Sequence, residues 1–357
     1  SSATVVNQSG LIETVGSGEP RIDFQGNTKG ALLLEPQRTN VNTKSENIQN
    51  WSFASNASGE YGYEDPFKGN KAVKLTSTSD AQTYQAYQGS SVLSSGTTYT
   101  YSIYAKRGTA YAFLIDFAIP GNGSVIVDLR DGSLISESGV GYIGYNVEAL
   151  SNGWYRISMT TTFNSSAYFR TGLVNQQGDC YVAFSQIEAG SYATSYIPTS
   201  GQSGGVTRVA ETSSQTTPDG VIGQTEGTMF IDFKKEHNAL ETWSINDGSS
   251  SNRVYMGFNN SNFISQVRSS NGAAQASFTT GLNNNTRYKC ALAYKLNDFV
   301  LYINGVQIGT DNSGVVPLNM SKLSAYASTS SDAPFFSPTN DVKLYNTRLS
   351  NAELQAL

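Results

Sequence analysis

The feature that most constrains this chain is a two-residue alternation, clearest over Thr98–Ala105. Tyr99, Tyr101, Ile103 and Ala105 fall on one face of an extended segment, and Thr98, Thr100, Ser102 and Tyr104 on the other. Successive side chains of a strand point to opposite sides, so this period fits a sheet and not a helix. Next, Tyr111, Phe113, Ile115 and Phe117 share a face, with Ala112, Leu114 and Asp116 opposite. Trp154–Phe163, entered through Ser151-Asn152-Gly153, and Tyr181–Glu188 continue the set. Turn residues stand between them, as in Pro120-Gly121-Asn122-Gly123 and Asp131-Gly132. Short strands at this spacing predict a sandwich over residues 45–200.

The pattern restarts at Gly227–Phe233 and runs on through Arg253–Phe258, Arg287–Lys295, Phe299–Ile303, Val306–Gly309 and Asp341–Tyr345. Asn304-Gly305 is the strongest hairpin signal, because both central positions of such a turn need positive φ. Ser350-Asn351-Ala352-Glu353 has the spacing of a capping box and predicts a short terminal helix. Between the two β regions, Gln186–Thr199 ends an apolar strand, and Ser200–Gly205 is too rich in Gly and Ser to bury much. A chain of 357 residues accommodates two domains. The expected fold is therefore all-β: two antiparallel β-sandwich (jelly-roll) domains joined by a Gly/Ser-rich linker. Residues 1–44 form an extended arm, 45–200 the first sandwich, 201–225 the linker and 226–357 the second. Leu32–Leu34 in the arm must pack on something, since such a patch does not stay exposed.

Composition removes several function classes. Only 14% of residues are charged, the net charge is −5, and no basic block occurs, so a nucleic-acid partner is not expected. No apolar run reaches the roughly 18 residues that span a bilayer, so no membrane insertion is expected. No signal peptide is evident, and the start at Ser1 without Met reads as a fragment or processed product. Cys180 and Cys290 fall in different domains and read as buried free thiols, with a bridge between them as the alternative.

Three stretches carry a resemblance. Pro20–Phe24 with Gly30–Asn40 resembles a leader of bacteriophage structural proteins. Tyr99–Lys106, Gly153–Ser158, and Gln186–Glu188 followed by Ala193–Thr199 resemble a carbohydrate-binding-module jelly roll. Ala293-Tyr294-Lys295, Leu301–Gly305 and Leu344–Leu354 resemble a concanavalin-A-like, laminin-G-like lectin domain of the kind found in phage tail and fibre proteins. The resemblance implies a phage virion protein, of a tail or head fibre or receptor-binding type, at the virion surface or otherwise extracellular. Its partners would be cell-surface glycans, other virion proteins and further copies of itself. It also leaves open a purely structural decoration protein, and accessory modules of a secreted bacterial glycan-active enzyme. Both families often carry a structural Ca²⁺. Asp247 with Gly248 and Ser249, or Glu46 with Glu188, could supply ligands, though neither has a regular loop spacing.

Catalysis is not expected. Glycoside hydrolysis normally needs two carboxyls at set distances. Glucanases of the concanavalin-A-like fold carry Glu-x-Asp-x-x-Glu on a strand, and here Phe230 takes the first position of Phe230-Ile231-Asp232-Phe233-Lys234-Lys235. His237 is the sole histidine and reads as a surface residue in a polar turn. Gly201–Gly205 precedes no Lys-Ser/Thr, so it is no phosphate loop.

Binding remains. A sugar offers apolar C–H faces and a rim of hydroxyls, so its site wants an aromatic plate with amides, carboxylates or guanidinium groups beside it. The face opposite the core would supply these in the first sandwich. Tyr104 and Lys106 project with Ser102, Asp116 projects opposite Phe113 and Ile115, Trp154 and Arg156 oppose Tyr155 and Ile157, and Tyr87 and Gln85 oppose Tyr84. The candidate carbohydrate-binding residues are thus Tyr87, Tyr104, Lys106, Asp116, Trp154 and Arg156. The same positions also read as the packed second face of a sandwich. The acidic balance argues against dependence on anionic polysaccharide.

Overall fold

The computed structural model of the chain describes residues 3–80, 86–89, 93–117, 123–162, 168–199, 201–269, 272–327 and 332–357. It separates into two compact units. The first comprises residues 1–28 and 37–209, the second residues 29–36 and 210–357.

Each unit is two antiparallel sheets around an apolar core. In the first unit, sheet I runs Tyr142–Ala149, Trp154–Thr162, Thr98–Arg107, Gly178–Ala189, Ala72–Ser77, Ala57–Tyr63. Sheet II runs Leu134–Ser138, Ser124–Asp128, Ala112–Phe117, Tyr168–Leu173, Ala86–Gly89, Ser52–Phe53. The alternation places the residues as expected: Tyr101, Ile103, Phe113, Ile115, Phe117 and Ile157 meet in the core between the sheets. Full burial of each such side chain contributes about 1.5–3 kcal/mol.

In the second unit, sheet III runs Val306–Asp311, Asp298–Ile303, Thr286–Lys295, Glu226–Lys235, Thr339–Tyr345, Ala31–Leu32. Sheet IV runs Ser214–Thr216, Lys322–Ser324, Ala239–Asn246, Arg253–Asn260, Asn262–Ser269, Ala273–Gly281. Met229, Ile231, Phe233, Trp243, Met256, Phe258 and Phe263 fill the space between them. Asn304 and Gly305 turn with φ of 49° and 74°. The helix Asn351–Ala356 has its capping box, Ser350 with Glu353, and Leu354 packs with Phe230, Val300 and Tyr302 on the outer face of sheet III.

The arm and the linker are more ordered than the sequence suggests. Ala3–Val6 and Ile12–Val15 form a hairpin, while Ala31–Leu32 pairs with sheet III and Leu32 and Leu34 pack on its core. Within 201–225, Val206–Arg208 pairs with Arg38–Asn40 in the first unit, and Ser214–Thr216 joins sheet IV in the second. Flexibility in a Gly/Ser segment is lost when backbone groups find ladder partners. Cys180 and Cys290 are buried and unbridged. Burial pushes both thiols well up from their ordinary range.

Candidate functional site

The structure divides the six sequence-derived candidates between two sheets. Tyr104, Lys106, Trp154 and Arg156 come together on the outer face of sheet I, where Tyr104 is opposite Arg156 and Lys106 opposite Trp154. That face is a second core. Tyr104 is 3% exposed and Trp154 2%, packed with Ile12, Phe184 and Tyr196. Arg156 is 7% exposed, donates from Nη2 to Ser102 Oγ (3.1 Å) and the Thr194 carbonyl (2.6 Å), and lies over the Tyr104 ring. Lys106 is half-buried. The open platform expected here is instead covered by the N-terminal hairpin and the exit segment 190–199.

Two local devices hold that cover. A bulge in Gly178–Ala189 lets Ser102 pair with Gln186 and Tyr104 with Ala183, so an extra residue is accommodated. Phe184 takes φ of 45° there and turns its ring onto Phe67, Tyr104 and Tyr196. Buried hydrogen bonds then fix the exit segment. Glu188 accepts from Thr194 N (2.8 Å), Thr194 Oγ1 (2.6 Å) and Gln186 Nε2 (2.7 Å), and Gln186 Oε1 accepts from Ile197 N (2.7 Å).

Tyr87 and Asp116 belong to sheet II. Their strands meet Tyr168–Leu173, placing Ser52, Tyr87, Arg170, Asp116, Ser124 and Ser138 in one cross-strand row. The Tyr87 side chain, like Tyr84 and Gln85, lies outside what is described. Asp116 is engaged by Arg170 through both carboxylate oxygens, with Nε at 2.7 Å from Oδ1. Burial pushes its carboxyl up, against the opposing pull of Arg170. All three tryptophans, Trp51, Trp154 and Trp243, are buried, so none offers a stacking plate.

The second unit presents a different face, one the sequence reading passed over. Residues of sheet IV that point away from the core line up in two rows. The first is Ser324, Ser244, Tyr255, Gln266 and Ser277; the second is Lys322, Asn246, Arg253 and Arg268. The end of the first row near Ser244 is covered, since Ser244 Oγ donates to the Tyr326 carbonyl at 2.7 Å. The other end is open: Tyr255 and Gln266 are half-buried and Ser277 exposed. Tyr255 OH donates to Gln266 Oε1 (2.5 Å), Gln266 Nε2 donates to Ser277 Oγ (2.9 Å), and Arg268 Nε donates to Gln266 Oε1 (3.0 Å). Arg253 and Arg268 lie 4.6 and 6.0 Å from the Tyr255 ring centroid. A signal was available: Arg253 and Tyr255 alternate with Val254, Met256 and Phe258, as Gln266 and Arg268 do with Phe263 and Val267.

The acid–base and metal candidates are engaged elsewhere. Asp232 holds Arg287 with both oxygens at 2.7 Å. His237 is not a surface residue. Its side chain is 12% exposed and its Nε2 stands 2.7 Å from Glu241 Oε1, because the strand Ala239–Asn246 brings Glu241 back beneath the turn. Asp247 accepts from Ser249 N, Ser249 Oγ and Asn252 Nδ2, and Glu46 pairs with Lys71. Among the described residues no three His, Cys, Asp or Glu side chains cluster as a metal would require.

No protein-family model matches the chain. No curated protein matches it either. Solved structures do match in part. The CBM40 of Ruminococcus gnavus IT-sialidase, bound to alpha2,3 sialyllactose, is 18% identical over 38% of this chain and 83% of its own, with a TM-score of 0.32. A native heptameric SAP-like pentraxin from Limulus polyphemus is 13% identical over 37% and 69%, with a TM-score of 0.30. The binding domain of botulinum neurotoxin serotype D is 14% identical over 40% and 39%, with a TM-score of 0.33. At this identity and overlap, no ligand or function is carried from them to this chain.

Proposed function

We propose that this protein is a non-enzymatic glycan-recognition protein of a phage virion, part of a tail or head fibre, exposed at the virion surface. The observation that carries this reading is the open half of sheet IV, where Tyr255, Gln266, Ser277 and Arg268 form one connected polar surface. A phenol, an amide, a hydroxyl and a guanidinium held side by side suit a ligand that is mostly hydroxyl groups on an apolar ring. Such a site binds weakly alone, and copies on an oligomeric fibre would add avidity. Absence of catalysis is part of the proposal, supported by the pairing of Asp116 and Asp232 with arginines. A glycan array probed with the full chain tests it. Retention on specific oligosaccharides, lost in Tyr255→Ala and Gln266→Ala without a lower melting temperature, is expected. An array without hits, or release of reducing ends from a retained glycan, overturns it.

One observation favours a second reading, assembly with virion proteins or with other copies of the chain. Leu134, Ile135, Val140, Ile143 and Tyr145 are all exposed along two edge strands and their connecting turn. Exposed apolar side chains gathered on the edge strands of two sheets are what an association surface looks like. Light scattering of the full chain and of Ile143→Asp distinguishes the readings, since only assembly through this strip makes the mass depend on that residue.

A further inference from the structure

The second row of sheet IV carries a charge arrangement that recognition of neutral sugars does not require. Arg253 and Arg268 are direct cross-strand partners, with Lys322 in the same row beyond Asn246. Like charges directly opposite each other on a sheet destabilise it. Asp332 acts electrostatically on Arg253 and offsets part of this repulsion. In a chain of net charge −5, acidic residues are not scarce.

Arg253 is the sharper anomaly. It is 9% exposed, and its Nε and Nη1 are buried without a hydrogen-bond acceptor among the described residues. Leaving buried charged donors unmatched costs more than leaving out the bond. Burial pushes this guanidinium down from its ordinary value; Tyr255 and Asp332 oppose that and Arg268 reinforces it. Arginine nevertheless stays protonated, so the charge remains. The flank toward Tyr255 is occupied by the ring. Arg268 spends Nε on Gln266 and Nη1 on the Gly272 carbonyl (3.3 Å), which fixes its fork and leaves further donors unspent among the described residues.

We infer that Arg253 and Arg268 form an anion subsite that takes the carboxylate of an acidic sugar, whose ring lies along Tyr255, Gln266 and Ser277. A carboxylate matches the planar donor forks of guanidinium groups, which a point-like ammonium does not. The inference rests on the proposed glycan recognition and narrows it. Affinity at this subsite is local and independent of the acidic balance of the whole chain.

The test uses the full chain with arginine side-chain Nε–H resonances as the readout, titrated with glucuronate, methyl glucuronate ester, glucose 6-sulfate and glucose. The Arg253 and Arg268 signals should move with glucuronate alone. Arg268→Gln should weaken that response about tenfold or more, as expected for a hydrogen bond to a charged group, with the melting temperature held. Arg253→Lys, which keeps the charge and loses the fork, should also weaken it. Equal responses to glucuronate and glucose, or a preference for the sulfate, overturn the inference. If oligosaccharides are retained on an array but the arginine signals ignore glucuronate, the acidic subsite falls while glycan recognition stands. If nothing is retained and nothing titrates, both fall.

Discussion

Tyr104 shows what a sequence can and cannot reveal about one residue. The alternation over Thr98–Ala105 assigns it to the face opposite Tyr101 and Ile103, and the structure agrees. What covers that face depends on Ile12, Phe184 and Tyr196, which are remote in sequence and invisible to any local pattern. Tyr104→Ala should therefore destabilise the first unit by about 3–5 kcal/mol, the range for large aromatic truncations in cores. Urea titration checks this, and an unchanged midpoint would mean that the ring is dispensable. A second residue-scale case is Glu353, whose carboxyl is held below its ordinary value by hydrogen bonds from the Ser350 hydroxyl and backbone amide, outweighing slight desolvation. A depressed carboxyl stabilises fully above its unfolded value of about 4.3 and loses that contribution as pH falls through the folded value. Amide protection at Glu353 and Leu354 should drop in acid, and protection that stays flat to pH 3 would contradict the capping role.

At the scale of elements, the strands that alternate strongly were legible, and those that do not were missed. Thr98–Arg107 and Thr286–Lys295 are largely buried on both faces, but their larger apolar side chains alternate with Thr, Ser, Ala or charged ones and so print a two-residue period. Leu134–Ser138 is exposed at every position and prints nothing. The rows of sheet IV were illegible for a different reason. They arise from register between four strands, and no single stretch contains Arg253, Arg268 and Lys322 together. The exit segment 190–199 was recognisable as a seam, but its part as a cover depends on buried hydrogen bonds to Gln186 and Glu188. Glu188→Ala would strand the donors of Thr194 and should cost about 3 kcal/mol. Hydrogen exchange should then show residues 192–199 opening ahead of sheet I. Uniform exchange across both would rule out the latch.

At the scale of the molecule, the boundaries reflect packing more than composition. Residues 29–36 belong with the second unit because Leu32 and Leu34 reach its core, so a cut at residue 226 removes part of that unit. Each unit carries one buried thiol, which provides a separate unfolding probe: Cys180 for the first and Cys290 for the second. A buried, protonated thiol is unreactive until its surroundings open. In native buffer neither should be labelled, and in rising urea they should become reactive at different midpoints. Coincident midpoints would mean that the units unfold as one. The central claim is that ligand is held on the open half of sheet IV. Diffraction from crystals of the full chain soaked with an oligosaccharide retained on the array tests this most directly. We predict sugar density against Tyr255, Gln266 and Ser277, with an acidic group at Arg253 and Arg268; density lying instead on the first unit, with sheet IV bare, would contradict it.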